Sequence, residues 1–299
     1  MTTSAFTALD LSKLEAPDVV EELSFEAIFQ AMLTDLQERD SSFTELVPSD
    51  PAYKILEVAA YRELLIRQRV NESARAVMLA YASGSDLDQI AANFNVARLV
   101  LDPGNENAIP PVPPTLESDA ALRRRTQLAF EGLSVAGPAS AYIFHSLGAH
   151  ADIKDISITS PDPGEVVVSV LSVEGDGEAD SDILEAVEAA LNDDVRPLTD
   201  NVTVQSAAII EYQIEAVLTV FSGPDSNVIL EAANTAIQAY VSDSHKIGRD
   251  ITLSAIYAAL HVAGVQKVTL TTPTEDIVVE NDEAPYCTDI DVTVGGVDE

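Results

Sequence analysis

The residues best suited to chemistry are few and widely spaced in this chain. It has four histidines, His145, His150, His245 and His261, and a single cysteine, Cys287. The first two histidines are five positions apart, which does not place them on one helical face, and no cysteine or carboxylate pattern completes a zinc set. One cysteine cannot form an internal disulfide. We therefore predict structural or surface roles for these residues, and no metal or other cofactor.

Two short motifs are similar to catalytic ones but differ in spacing or context. The segment GLSVAG, Gly132 to Gly137, is close to the Gly-x-Ser-x-Gly turn of hydrolases, but the glycine after Ser134 comes one position too late. The same segment lies between two predicted helices. Asp289 and Asp291 stand in an alternating run that indicates a solvated strand face. Phosphate-binding glycine loops are missing from the sequence, so we predict no catalytic residues.

The chain is large enough for two or three domains and strongly acidic. Of its 299 residues 46% are apolar, and 50 acidic against 16 basic side chains give a net charge of −34. The first 150 residues hold 11 basic and 21 acidic side chains and the rest hold 5 and 29, so the two parts carry −10 and −24. Nucleic acids and anionic membranes are bound by Lys and Arg, so we expect neither as a partner.

The ends and the hydropathy of the chain predict where it is made. The amino terminus has no basic segment followed by an apolar run, and nowhere do 18 uncharged apolar residues follow one another. We expect a soluble protein that is made and used in the cytoplasm, at least until it is assembled.

Basic side chains cluster at two places. They are Arg62, Arg67, Arg69 and Arg75 in a predicted long helix, and the triplet Arg123, Arg124 and Arg125. One interpretation is a solvated helix face with pairs such as Glu63 to Arg67, which contribute only a few tenths of a kcal/mol. The other is an interface with partner chains, where arginine is enriched because its planar group pairs with carboxylates. We take these arginines as candidate partner-interface residues.

Helical spacing dominates the first third of the chain. Apolar residues at steps of three and four between Phe25 and Leu36 form one helical face. After a proline-bounded turn at residues 48–51, residues 52–83 run without Pro or Gly and predict one helix about 45 Å long. Gly84 suits the left-handed position that would end it. A helix of this length needs more than a small domain to pack against, which favours a multi-chain helical bundle.

A proline-rich segment follows, with five prolines between Pro103 and Pro114, and predicts a stiff, extended linker. Beyond it, helical patterns alternate with short β-branched runs, which is typical of an α+β fold. The predicted parts are a helical region at 1–102, the linker at 103–116, and two small α+β modules at 117–206 and 207–299.

The two modules share a faint repeat. Residues 140–161 and 254–273 both predict a helix, a turn and a strand that ends in Thr, a small hydroxyl residue and Pro. Either two related modules with permuted element order or chance would produce this pattern.

Five sequence blocks carry a family resemblance. They are APDVVEELSFEAI, AYRELLIRQRVNESARAVMLAYASGSDLDQIAANFNVARL, ESDAALRRRTQLAFEGLSVAGPASAY, VRPLTDNVTVQSA and GRDITLSAIYAALHVAGVQKVTL. Taken in this order, over nearly the whole chain, they resemble the baseplate J-like family of contractile phage-type tails and R-type pyocins.

The resemblance implies a non-enzymatic wedge subunit of a virion tail baseplate, with no catalytic residues to transfer. In this family two J-like copies usually form a helical core with one copy of a second wedge protein. Six wedges form a ring around the hub and spike, which they meet indirectly, and the sheath initiator sits on that ring. The expected partners are therefore the second wedge protein, further copies of this chain and the sheath initiator.

Two other functions stay open from the residues alone. An envelope-degrading tail enzyme would use a cleft with perturbed carboxyl groups, and the many acidic residues are compatible with that. An acidic decoy would bind a basic protein through the more acidic half of the chain. A zymogram on cell-envelope polymers tests the first, and a pull-down on a basic DNA-binding protein tests the second.

Overall fold

The structure, a computed structural model, describes residues 11, 14–15, 23–134, 137–191, 195–223 and 225–298. It mixes helices and sheets, as the predicted α+β class requires. The described residues form two compact units: a helical unit within Ala8–Arg98 and Ser118–Thr126, and a second unit within Leu99–Glu117 and Gln127–Glu299. Most of the sequence before Leu23, including the first part of the predicted helical region, lies outside the described residues.

The helical unit begins with two paired helices. Helix α1 (Phe25–Arg39) starts after Ser24, whose Oγ accepts a hydrogen bond from the backbone N–H of Ala27. Helix α2 (Pro51–Ala76) starts with a proline at its first position, where the missing N–H leaves no partner unsatisfied. An apolar cluster joins the two helices. Its members are Phe25, Ile28, Phe29, Met32, Leu33, Tyr53, Leu56, Ala60 and Leu64.

Helix α2 is shorter than predicted, because it ends at Ala76 and not near Gly84. Residues 77–81 form turns, and helix α3 (Gly84–Ala92) begins at Gly84 itself, whose φ is 53°. A side chain of helix α4 (Asp119–Leu128) stabilises the turn after α2. Arg123 donates from Nε to the carbonyl oxygen of Leu79 at 2.7 Å and from Nη2 to that of Ala82 at 2.6 Å. These bonds satisfy carbonyl groups that a continued helix would have bonded internally.

The proline-rich segment folds back on itself and does not form an extended linker. Strand β1 (Val100–Asp102) pairs antiparallel with β2 (Thr115–Leu116). Between them, Asn105 and Val112 exchange two backbone hydrogen bonds of 2.9 and 3.0 Å. Gly104 permits this return, because a Cβ there would lie 2.4 Å from the carbonyl oxygen of Val112. We call residues 99–117 the hairpin arm. Helix α4 up to Thr126 groups with the helical unit, although we assign it to the first module from the sequence.

The first α+β module is a three-stranded sheet covered by two helices. Its elements are α5 (Ala139–Leu147), β3 (Ile153–Thr159), β4 (Glu165–Ser172), α6 (Ser181–Ala190) and β5 (Asn201–Ser206). The strand order is β3-β4-β5, with β3 antiparallel and β5 parallel to the central β4. The buried side chains of β4, such as Val168 and Val170, pack in one apolar cluster with Ile183 and Val187 of α6.

The second module repeats this layout. Its elements are β6 (Ala208–Phe221), α7 (Ser226–Ser244), α8 (Leu253–Leu260), β7 (Val265–Thr272) and β8 (Glu283–Asp298). The order is β7-β6-β8, again with one antiparallel and one parallel edge strand beside the centre. In chain order the central strand comes third among the elements of the first module and first in the second. The two modules therefore share one sheet layout in a different element order, with α5–β3 corresponding to α8–β7, which agrees with the first of the two explanations of the repeat.

Polar and apolar contacts join the two modules. Only Ala207 separates β5 from β6, and it is buried in a small cluster with Leu171 and Ala284. The Nζ of Lys154 lies 2.8 Å from Nδ1 of His245. Burial lowers the pKa of both side chains, and the Lys154 cation lowers the pKa of His245 further. This arrangement fits a neutral imidazole whose Nδ1 accepts a hydrogen bond from the Nζ of Lys154.

Candidate functional site

One face of α2 carries a row of apolar side chains that the helical unit leaves exposed. Because α1 packs against Tyr53, Leu56, Ala60 and Leu64, the opposite face points away from the cluster. Its exposed members follow helical spacing, and we call them the α2 stripe: Ile55 (69% exposed), Val58 (62%), Leu65 (38%) and Ile66 (65%). An exposed apolar row of this kind is typical of a surface that binds another protein.

Two of the predicted interface arginines lie within the stripe. At the pitch of an α-helix, Arg62 and Arg69 are about 20° apart around α2, and the stripe residues Ile55, Val58 and Ile66 lie within about 40° of Arg62. Both arginines are exposed. A shallow groove runs along this part of the helix, lined by Arg62, Leu65, Ile66, Gln68, Arg69 and Glu72. The sequence therefore brings a cationic pair and an apolar row onto one surface.

The other two arginines of α2 lie elsewhere on the helix. Arg67 pairs with Glu63, from Nε to Oε1 at 2.9 Å, which is the i, i+4 pair expected from the sequence. Both side chains are partly exposed, so the pair contributes little to stability. Arg75 is exposed in the last turn of α2, where a cation interacts favourably with the helix dipole. These two arginines belong to neither the groove nor the stripe.

The arginine triplet of α4 is directed mainly into the helical unit. Arg125 is only 7% exposed and donates from Nη2 to the carbonyl oxygen of Ala97. Arg123 holds the turn after α2, and Arg124 is half-buried. Since Arg123 and Arg125 bind carbonyl groups of their own chain, their role in this fold is to connect α4 to the segments around α3.

Arg98 is a site that sequence reasoning missed. Its Nε donates to Oδ1 of Asp88 and its Nη2 to Oδ1 of Asp119, both at 2.7 Å. Asp119 also accepts the backbone N–H of Gly84. Burial opposes the charge of Arg98, but the bonds from Asp88 and Asp119 outweigh it and raise the arginine pKa. The Gly84 and Arg98 bonds lower the pKa of Asp119. No spacing rule connects these positions, which are 10 and 21 residues apart.

The residues considered for chemistry have structural surroundings. His145 lies 3.2 Å from the carbonyl oxygen of Gly132 through Nε2. His150 accepts the backbone N–H of Asp152 through Nδ1. His261 caps the end of α8, and Ser134 ends a short 3₁₀ turn. Positions 135 and 136 of the GLSVAG segment lie outside the described residues.

The acidic pair on β8 lies on the exposed face of the second sheet. Asp289 and Asp291 are exposed and stand opposite Gln213 and Glu215 of β6. Cys287 lies in the same strand, where burial raises the pKa of its thiol. Across the described ranges, no group of three or more His, Cys, Asp or Glu side chains could hold a metal ion. In the same part of the chain, no helix combines the length and the apolar character needed to cross a membrane.

Comparison with known proteins assigns most of the chain to three domain families. Residues 48–105 match the Baseplate J-like N-terminal domain, residues 134–206 the Baseplate J-like central domain, and residues 212–293 the Baseplate J-like protein C-terminal domain. The first match covers α2, α3 and β1, and the other two correspond to the two α+β modules.

One relative is similar over its whole length. The chain is 52% identical to "Baseplate protein J" of Escherichia phage P2, over 97% of this chain and 99% of that protein. Among solved structures, a chain of the anti-feeding prophage (AFP) baseplate is similar with a TM-score of 0.42 and 14% identity. The matched region covers 59% of this chain and 44% of the solved chain.

An exposed apolar helix face is typical of a protein that assembles with other chains. The matches over both modules and α2, with 52% identity across 97% of the chain, are specific: the chain belongs to the baseplate J-like family. It is accordingly a structural protein of a tail baseplate, as the sequence blocks predict.

Proposed function

We propose that this chain is a wedge subunit of a contractile-tail baseplate, and that α2 takes part in a helical bundle with a second wedge protein. The α2 stripe is the observation that supports this proposal most directly. Its three most central apolar members, Ile55, Val58 and Ile66, are 62–69% exposed. In a helix of 26 residues, only Ala60 and Asn71 are buried within the chain. A helix that is apolar on both faces is stable when other helices cover it.

The two modules serve the same assembly in this proposal. Further copies of the chain would meet through them around a six-membered ring that surrounds the hub and spike, and the sheath initiator would bind that ring. The low basic content of the modules is compatible with contacts to protein and unfavourable for contacts to nucleic acid. Non-enzymatic assembly is part of the proposal, and it is supported by the contacts that His145, His150 and His245 make with other groups of the fold.

The proposal is tested by co-expressing the tagged chain with the second wedge protein encoded beside it. The expected result is a co-purified complex that contains two copies of this chain for each partner and that forms rings of six in negative-stain electron micrographs. The chain alone should be less soluble at micromolar concentration than the complex, because the stripe is then exposed to water. A monodisperse monomer that never retains the second wedge protein would contradict the proposal.

A further inference from the structure

Arg62 and Arg69 stand where a helical bundle normally has apolar side chains. They are seven positions apart and about 20° apart around α2, in line with Ile55 and Val58. In the heptad pattern of paired helices, residues at such a spacing face the partner helix directly and are surrounded by its side chains. A helix that covers the α2 stripe would therefore also cover both guanidinium groups.

In the part of the chain that the structure describes, these two guanidinium groups have no partner. Among the residues that the structure describes, neither has a hydrogen bond or an ion pair to its side chain, whereas Arg39, Arg67 and Arg98 each pair with a carboxylate. A buried arginine that has no carboxylate is strongly unfavourable, but one that has a carboxylate gains a directional, charge-assisted bond. The stripe should therefore favour a covering helix that carries carboxylates over one that does not.

A second copy of α2 does not offer the required carboxylates. The acidic residues of this helix, Glu57, Glu63 and Glu72, lie about 80° or more around the helix from Arg62. A parallel, in-register copy would place Arg62 against Arg62 and Arg69 against Arg69. An antiparallel copy would place each of them against an apolar stripe residue or against another stripe arginine, depending on the register. Both arrangements bury the cations without compensation.

We infer that the α2 stripe binds a helix of a different protein that presents two carboxylates one heptad apart, and that Arg62 and Arg69 exclude a second copy of this chain from the same surface. The inference rests on the proposed function and specifies its partner. Polar residues at such core positions set register and partner choice in paired helices at some cost in affinity. Copies of the chain would then meet each other through other surfaces.

The test uses three synthetic helical peptides of about four heptads with leucine at the core positions. In the first, two consecutive core positions one heptad apart are Glu; in the second they remain Leu; in the third they are Lys. Outer positions are adjusted so that all three carry the same net charge. Each peptide is labelled, and its binding to the full-length chain is measured by fluorescence anisotropy at about 0.15 M salt.

For the wild-type chain we expect the Glu peptide to bind about tenfold or more tightly than the Leu peptide, and the Lys peptide to bind least tightly. The double variant Arg62→Leu/Arg69→Leu should prefer the Leu peptide. It should also form dimers in sedimentation-velocity runs at concentrations where the control variant Arg75→Leu, on the same helix but outside the stripe, behaves as wild type. Circular dichroism checks that each variant keeps its helix content.

Three outcomes overturn the inference. Equal or tighter binding of the Leu peptide to wild type refutes the charge selection while leaving the stripe as a docking surface, so the proposed function survives. Failure of all three peptides to bind means that the stripe does not accept a helix. A wild-type dimer that Arg62→Glu/Arg69→Glu abolishes means that a second copy occupies the stripe.

Discussion

Removing the apolar character of the α2 stripe should prevent assembly without unfolding the chain. The perturbation is Ile55→Gln, Val58→Gln and Ile66→Gln, which keeps a good helix former at each position. Because these side chains are 62–69% exposed, the isolated chain gains little from them, and its free energy of unfolding should change by less than about 1 kcal/mol in total. Thermal unfolding of the isolated chain checks this part.

The effect on assembly follows from the same exposures. Full burial of a Val or Ile side chain contributes about 1.5–3 kcal/mol, and about two thirds of that remains to be gained when a partner helix covers each stripe residue. Three positions together give about 3–6 kcal/mol. Affinity for the second wedge protein should therefore fall by a factor of about 10² to 10⁴, as measured by isothermal titration calorimetry with the purified partner.

The matched control changes three valines of similar exposure outside α2: Val173→Gln, Val228→Gln and Val278→Gln, which are 58%, 63% and 70% exposed. This control should bind the second wedge protein as wild type does. The reasoning is refuted if the stripe variant binds within about threefold of wild type, or if the control loses as much affinity as the stripe variant.

Three further predictions concern ionisable side chains. Arg98→Leu should destabilise the isolated chain by about 2 kcal/mol, because two charge-assisted hydrogen bonds of a nearly buried guanidinium group are lost. The control Arg39→Leu, at an exposed arginine, should leave the midpoint of chemical denaturation unchanged. Equal effects of the two substitutions would contradict the prediction. Reversing Arg67 and Arg75 to Glu should lower the free energy of unfolding of the isolated chain by less than about 1 kcal/mol. The same double variant should reduce the number of complete baseplates counted by electron microscopy. A wild-type number of baseplates would mean that both arginines are solvent-exposed and contact no partner chain. Burial lowers the pKa of His245 in the folded state, so the unfolded state binds a proton more readily. The folded state therefore loses stability as pH falls below about 6.5, the pKa of histidine in an unfolded chain. Between about pH 7 and pH 5, wild type should therefore lose more stability than His245→Gln, and identical slopes would refute the assignment.

Periodicity and composition predicted the elements that depend on local sequence. The apolar steps of α1, the start of α2 at Pro51 and the sheet-and-helix modules are all visible in the chain, because each depends on neighbours within a few residues. The i, i+4 pair of Glu63 and Arg67 is likewise local. The candidate surface was predicted in part, since arginine clusters marked α2, but only the packing of α1 shows which face of that helix is exposed.

Long-range contacts account for the features that the sequence did not predict. Residues 77–83 have no proline or glycine, and the end of α2 depends on Arg123, which lies 44 and 41 positions from the carbonyl groups that it binds. The prolines of the hairpin arm predicted an extended segment, but the Asn105–Val112 bonds close it. The inward direction of Arg123 and Arg125 also follows from the packing of α4, because a basic triplet by itself indicates only charge.

The most direct test of the central claim is an electron cryomicroscopy reconstruction of intact tails that contain this chain. We expect its density in the baseplate ring, in multiples of six, with the α2 stripe covered by helices of another wedge protein and with carboxylates beside Arg62 and Arg69. Density in the sheath, the tube or a fibre would contradict the account, and so would a baseplate in which α2 faces solvent along its whole stripe.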